Sequence, residues 1–282
     1  MRIGLVTDSP CDLPEYLVER YKIEVVPAII VLNGKPYRDG IDITRPAFYM
    51  QLPDLRVSPT TAAPSIEDFS KSYRKLFSEG CEHVIGIFTA EKLTAIANIA
   101  RKAADEFNGK VSVIESGSLS LGIGYQVLAA AEAIEKGFDL TSILAAVQSI
   151  RGRLRVYAAL DTLEFLRRSG RVPQAVATLG GLLNIKPVVE LHEGLVKPVG
   201  AVRTTHQATE KLASLLKELG TLERLSILHT NTERRAVEFL EKIRREQNRT
   251  LPEDIGIVNV TTVIGTHVGP NGLGIAAVRK NL

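Results

Sequence analysis

Near the C-terminus the chain runs Val263-Ile264-Gly265-Thr266-His267-Val268-Gly269-Pro270-Asn271-Gly272-Leu273-Gly274, placing one imidazole among glycines that leave the backbone open to close approach. Near neutral pH such a histidine can donate a hydrogen bond, take up a proton or stabilise developing charge. On the local sequence alone, a hairpin or crossover turn that merely contains a histidine is the favoured reading. Thr60 and Thr61 precede Ser65, the expected N-cap of a helix, where hydroxyls and free N–H groups can meet an anion, although threonine-rich turns before helices are common. Thr94 follows a strand-to-helix junction, where α/β sheets gather ligands, or it bonds a carbonyl one turn back. Arg171 follows Gly170 at a helix end, where a guanidinium can pair with a carboxylate or phosphate or simply face solvent.

Other chemistries lack their parts. The stretch Glu115-Ser116-Gly117-Ser118-Leu119-Ser120-Leu121-Gly122-Ile123-Gly124 resembles a phosphate loop but lacks the Gly-Lys-Ser/Thr ending, and its glycines do not fit Gly-x-Gly-x-x-Gly. Nucleotide binding there is rejected. No nucleophile elbow, His-Glu-x-x-His or kinase set is present, so no catalytic residue is assigned. His83, His192, His206 and His229 are scattered without metal-ligand spacing, and neither a metal nor a cofactor is expected. Asp8 and Ser9 read as turn formers after the first strand.

The scaffold must then be an ordinary globular one. Among 282 residues, 45% are hydrophobic and 24% charged, and the net charge of +3 points to no polyanion such as nucleic acid. Arg151, Arg153 and Arg155 read as the solvated C-terminal end of a helix. Two distant cysteines, Cys11 and Cys81, argue against a disulfide scaffold and suit a reducing compartment. With no signal-peptide pattern and no run near the roughly 18 apolar residues that span a bilayer, a cytoplasmic location without stable membrane insertion is expected.

Apolar runs alternating with helical patterns predict an α/β fold: an N-terminal parallel-sheet α/β/α domain over 1–155 plus a second α/β domain with a mixed sheet over 156–282. Strands are expected at 3–6, 25–32, 84–88 and 111–114. Asp12 is expected to cap the first helix, and Ser65 with Asp68 to open one running to about Ser78. Further helices are expected at 93–107, 119–136 and 140–151, with 37–59 rich in loops. In the second half, Asp161 with Glu164 should cap a helix ending at Gly170, and Glu193-Gly194 should turn a hairpin. Helices at 206–219 and 232–247 and strands at 156–160, 225–229, 255–260 and 273–278 complete the expectation.

Taken in order, the stations of this chain resemble the DegV family of fatty-acid-binding proteins over essentially its whole length. They are Asp8-Ser9-Pro10-Cys11-Asp12, Tyr37-Arg38-Asp39-Gly40, Thr61-Ala62-Ala63-Pro64-Ser65, Leu163 to Arg171, Asn184-Ile185-Lys186-Pro187 and Gly265-Thr266-His267-Val268-Gly269-Pro270. The resemblance implies a long-chain fatty acid buried between or beneath two α/β domains, its carboxylate held by hydroxyls that map to Thr61 and Thr94. It associates Arg171 and His267 with the carboxyl end and with partner docking. Some members carry the fatty acid for an ATP-dependent fatty acid kinase that makes acyl phosphate, so the chain is expected to be a lipid-binding carrier and not itself an enzyme. This sequence departs from the pattern at Ala90-Glu91-Lys92-Leu93-Thr94-Ala95-Ile96, which keeps one hydroxyl, at Ala62 in place of a serine, and at Asn271 in place of a glycine.

The physics of such a ligand favours its tail. At roughly 0.8 kcal/mol per buried CH₂, about 14 methylenes give a gross gain near 11 kcal/mol before entropy is subtracted. A hydrogen bond to the charged head adds about 1.5–3 kcal/mol. The alternative is a stand-alone acyl- or phosphoryl-transfer enzyme with His267 as general base.

Overall fold

The computed structural model describes residues 1–170 and 185–281. A four-stranded parallel sheet is built from β1 (Ile3–Asp8), β2 (Glu24–Val26), β6 (His83–Phe88) and β7 (Val111–Glu115) in the order β2-β1-β6-β7. Successive side chains of a strand face opposite ways, and β1 and β6 are buried on both faces. On one side Val6, Val84 and Phe88 meet α3 (Ile66–Ser78) and α4 (Ile96–Ala104). On the other, Leu5, Ile85 and Ile87 meet α5 (Leu121–Glu135) and α6 (Leu140–Arg153).

A mixed six-stranded sheet follows, ordered β10-β9-β8-β13-β11-β12. Its strands are β8 (Leu154–Ala159), β9 (Lys186–His192), β10 (Leu195–Val202), β11 (Leu222–His229), β12 (Ile255–Asn259) and β13 (Leu273–Arg279). Only β11 and β12 pair in parallel. Its outer face packs on α8 (Thr205–Glu218) and α9 (Glu233–Gln247). Its inner face, with Leu154, Val156, Leu191 and Leu228, joins the cluster around α5 and α6. Helix α5 therefore lies between the two large sheets. Its composition explains the placement: from Leu121 to Ala133 it presents apolar or small residues all round, with Tyr125 and Gln126 the only polar ones buried before Glu132.

A third, antiparallel sheet joins β3 (Ile29–Leu32) to β4 (Lys35–Arg38) and β5 (Thr60–Ala62). Asn33 and Gly34 both take positive φ, the backbone of a two-residue hairpin turn, and Glu193-Gly194 does the same between β9 and β10. The capping box at Ser65 and Asp68 forms as expected.

Several local expectations are corrected. The first helix, α1 (Glu15–Arg20), begins after Pro14, while Asp12 is in the left-handed region with its carboxyl buried elsewhere. The loop-rich stretch contains α2 (Arg45–Gln51), capped by Thr44 with Pro46 in its first turn. Asp161 pairs with Lys186 instead of capping α7 (Glu164–Arg168), whose N-cap is Leu163. The arginines at 151, 153 and 155 are not a solvated end: they pair with Glu115, Glu223 and Glu190. His267 lies not in a turn but on α10 (Thr262–Val268), and Gly269 with φ +76° ends that helix.

Candidate functional site

A cavity of about 350 Å³, within the range of small-molecule sites, opens where the carboxyl end of the parallel sheet faces the inner side of the mixed sheet. Val156, Ala158, Val189, Leu191, Val196 and Leu228 supply one wall, and Leu93, Ala95, Ile96 and Leu119 the other. Thr61, Thr89, Thr94, Ser120, His229, Thr230 and His267 also line it.

The sequence-flagged residues fall as follows. Thr61, in the middle of β5, places Oγ1 3.0 Å from His267 Nε2, the direction of that hydrogen bond following the imidazole tautomer. Thr94 lines the same cavity from the loop between β6 and α4, with its N–H directed to the Ala90 carbonyl. Arg171 lies outside the described residues.

Helix α10 has seven residues, too short to hold itself, so its position must come from outside. Two buried carboxylates receive its N-terminus, where backbone N–H groups lack helical partners and the helix dipole favours negative charge. Asp12 Oδ1 accepts from the Thr261 N–H at 2.8 Å, and Asp39 Oδ1 accepts from the Thr262 N–H and hydroxyl at 3.3 and 2.6 Å. Asp12 also accepts from the Ser120 hydroxyl at 2.5 Å and pairs with Arg45 at 3.3 Å. Burial pushes the Asp12 carboxyl up to about 6, against the pull of Arg45 and the Ser120 hydroxyl. Arg45 in turn donates to the Asn259 carbonyl, and the Tyr49 hydroxyl donates to Val260 O at 3.1 Å. A Cβ at Gly265 would stand 2.4 Å from the Tyr49 hydroxyl, so only glycine lets α10 lie this close to α2.

At the end of β1, Asp8 Oδ2 accepts from the Thr89 N–H at 2.7 Å beside the cavity. Asp8 is fully buried, and burial pushes its pKa up to about 7. The glycine-containing loop after β7 is closed by its own bonds. The Gly117 N–H goes to the Glu115 carboxylate at 2.9 Å, the Ser118 N–H to the Ser116 hydroxyl at 3.1 Å, and Arg151 binds the Glu115 carbonyl at 2.6 Å. Those two N–H groups are thus not free for a phosphate. The hairpin turn of β9 and β10 docks on this loop, with the Gly194 N–H 2.7 Å from the Gly117 carbonyl and Lys92 Nζ 3.2 Å from the Glu193 carbonyl.

Sequence reasoning missed Ser120, Thr89, His229 and Thr230 as cavity residues. The usable signal was position, since His229 ends a strand, where α/β sheets gather ligands.

The family model of DegV, described as an uncharacterised protein family, matches residues 2–280. The chain belongs to the DegV family. A DegV domain-containing protein of Deinococcus radiodurans is 31% identical over 286 residues, covering 98% of both chains. The solved DegV family protein of Thermus thermophilus, described as fatty acid binding, is 35% identical with a TM-score of 0.90 over 99% of this chain and 100% of its own. DegV of Bacillus subtilis, described as a fatty acid binding protein, is 26% identical with a TM-score of 0.87 over 99% and 100%. In DegV terms, the Asp-Ser-x-x-Asp and Tyr-x-Asp-Gly stations of this chain supply the carboxylates under α10, and the Gly-Thr-His station is α10 itself. Among the described residues, no helix is long and apolar enough to cross a membrane and no cluster of potential metal ligands occurs.

Proposed function

We propose that this DegV chain binds one long-chain fatty acid with its tail in the apolar cavity and its carboxylate toward Thr61, His267 and Thr94. It acts as a carrier without catalysis of its own, presenting the carboxylate to an ATP-dependent fatty acid kinase that forms acyl phosphate. The observation that carries this reading is the cavity itself: mainly aliphatic walls of about 350 Å³, with the Thr61–His267 pair set into them. The fatty-acid-binding relatives from Thermus thermophilus and Bacillus subtilis support the ligand class. A head group held by few hydroxyls suits a carboxylate that must be surrendered to a second enzyme, because tail burial supplies most of the affinity.

Denaturing extraction of purified protein followed by mass spectrometry tests the first step. A C14–C18 fatty acid in near-stoichiometric yield is expected. Lipid-free extracts combined with no uptake of added palmitate or oleate would defeat it. For the second step, His267→Ala and Arg171→Ala should retain fatty acid and fail to support acyl phosphate formation with a cognate kinase. Undiminished turnover with both variants would remove these residues from the partner role.

A further inference from the structure

His229 is only 5% exposed yet lines the cavity, and Thr230 beside it is equally enclosed. The His229 Nδ1 accepts the Thr232 N–H at 3.2 Å. A neutral ring with an accepting Nδ1 carries its proton on Nε2, and burial lowers the pKa of this ring, outweighing the Glu233 charge that raises it. No described residue accepts from that Nε2. The Thr230 Oγ1 accepts the Gly272 N–H at 2.5 Å, which leaves its own O–H for donation. A donor enclosed in a cavity wall is costly unless something accepts from it.

These donors stand apart from the Thr61–His267 pair. The His229 carbonyl accepts the Val260 N–H at 2.9 Å, which fixes His229 beside the start of α10, while His267 occupies the last turn of that helix. Five residue rises of about 1.5 Å, from Thr262 to His267, separate the two stations by roughly 7.5 Å along the helix axis. A carboxylate bound at Thr61 and His267 thus leaves His229 beside the chain of the ligand.

We infer that His229, assisted by Thr230, is a second polar station that selects acyl chains bearing a mid-chain oxygen, a hydroxyl or keto group, over unsubstituted chains. This rests on the fatty-acid reading above. The ligand oxygen accepts from Nε2–H, and a bound hydroxyl replaces its lost hydration only where the chain places it opposite His229. A site built around such a donor discriminates by position.

The test uses the delipidated full chain, stearic acid, and a set of monohydroxystearic acids with the hydroxyl at successive mid-chain carbons. One isomer is expected to bind the wild type about tenfold or more tighter than its neighbours in the series. His229→Phe should flatten the series to within about twofold while stearic acid binding is kept, and His229→Gln, which restores a donor, should recover part of the preference. A flat series in the wild type, or a preference that survives His229→Phe, overturns the assignment. Failure of stearic acid itself to bind sinks the fatty-acid reading and this one with it, whereas stearic acid binding with a flat series sinks this one alone. Because the wild-type series decides without any variant, poor folding of His229→Phe leaves the outcome readable.

Discussion

Thr61 and His267 are 206 positions apart and meet at 3.0 Å, so each sets the rotamer of the other before any ligand arrives. Replacing Thr61 with Val keeps the shape of the side chain and removes the hydroxyl. Palmitate affinity in a fluorescence displacement titration should fall about tenfold and not vanish, as expected for one hydrogen bond to a charged head against a dominant tail. Asp8 carries the clearest pH signature. Its folded pKa of about 7 lies above the ordinary aspartate value of 3.8, so between these the native state holds the extra proton and stability falls as pH rises. The stability of Asp8→Asn relative to wild type should therefore grow from pH 5 to pH 7 by up to about 1.4 kcal/mol per pH unit, measured by urea unfolding, and a pH-independent difference would contradict this. Residue type and position made Thr61, Thr94 and His267 candidates, and the resemblance to the DegV family, not the residues alone, singled them out. Asp12 and Asp39 could not be read the same way. An aspartate near a turn has the local look of a cap, and only partners more than 200 positions later in the chain reveal them as anchors for α10.

Helix α10 shows what an element owes to its neighbours. Gly265→Ala should destabilise the protein by about 1–3 kcal/mol, because the added methyl meets the buried ring of Tyr49, and should lower acyl phosphate formation with a cognate kinase by displacing His267. Equilibrium denaturation together with a coupled kinase assay checks both effects, and an unchanged midpoint would show that α2 yields to the methyl. The hairpins at Asn33-Gly34 and Glu193-Gly194 and the capping box at Ser65 were legible because their determinants lie within four residues. The sequence of α10 reads as a turn for an equally physical reason. Glycines at 265 and 269 punctuate it, seven residues give little intrinsic helicity, and its stability comes from Asp12, Asp39 and Tyr49. Helix α5 was legible as a helix, but its burial between two sheets follows only once both sheets are known.

At the scale of the molecule, one hydrophobic cluster runs from Leu5 and Ile87 through α5 and α6 to Val156, Leu191 and Ala276, so the two large sheets share a core. We therefore expect residues 1–155 alone to lack cooperative unfolding, with the apolar outer side of α5 left in water, and the whole chain to unfold in a single transition. Two resolved calorimetric transitions would contradict that. The alternation of strands and helices made the α/β class and the mixed second sheet readable, whereas strand order was not, because β13 reaches the middle of its sheet through pairing with β8 and β11 that no local pattern encodes. That central place of the last strand has a consequence for biosynthesis. The mixed sheet cannot close until β13 leaves the ribosome, and at about 5–20 residues per second the nascent chain spends on the order of ten seconds with α5 already made and its second cover still missing. Throughout that interval the apolar side of α5 that will meet the mixed sheet is open to solvent, the kind of surface that chaperones hold.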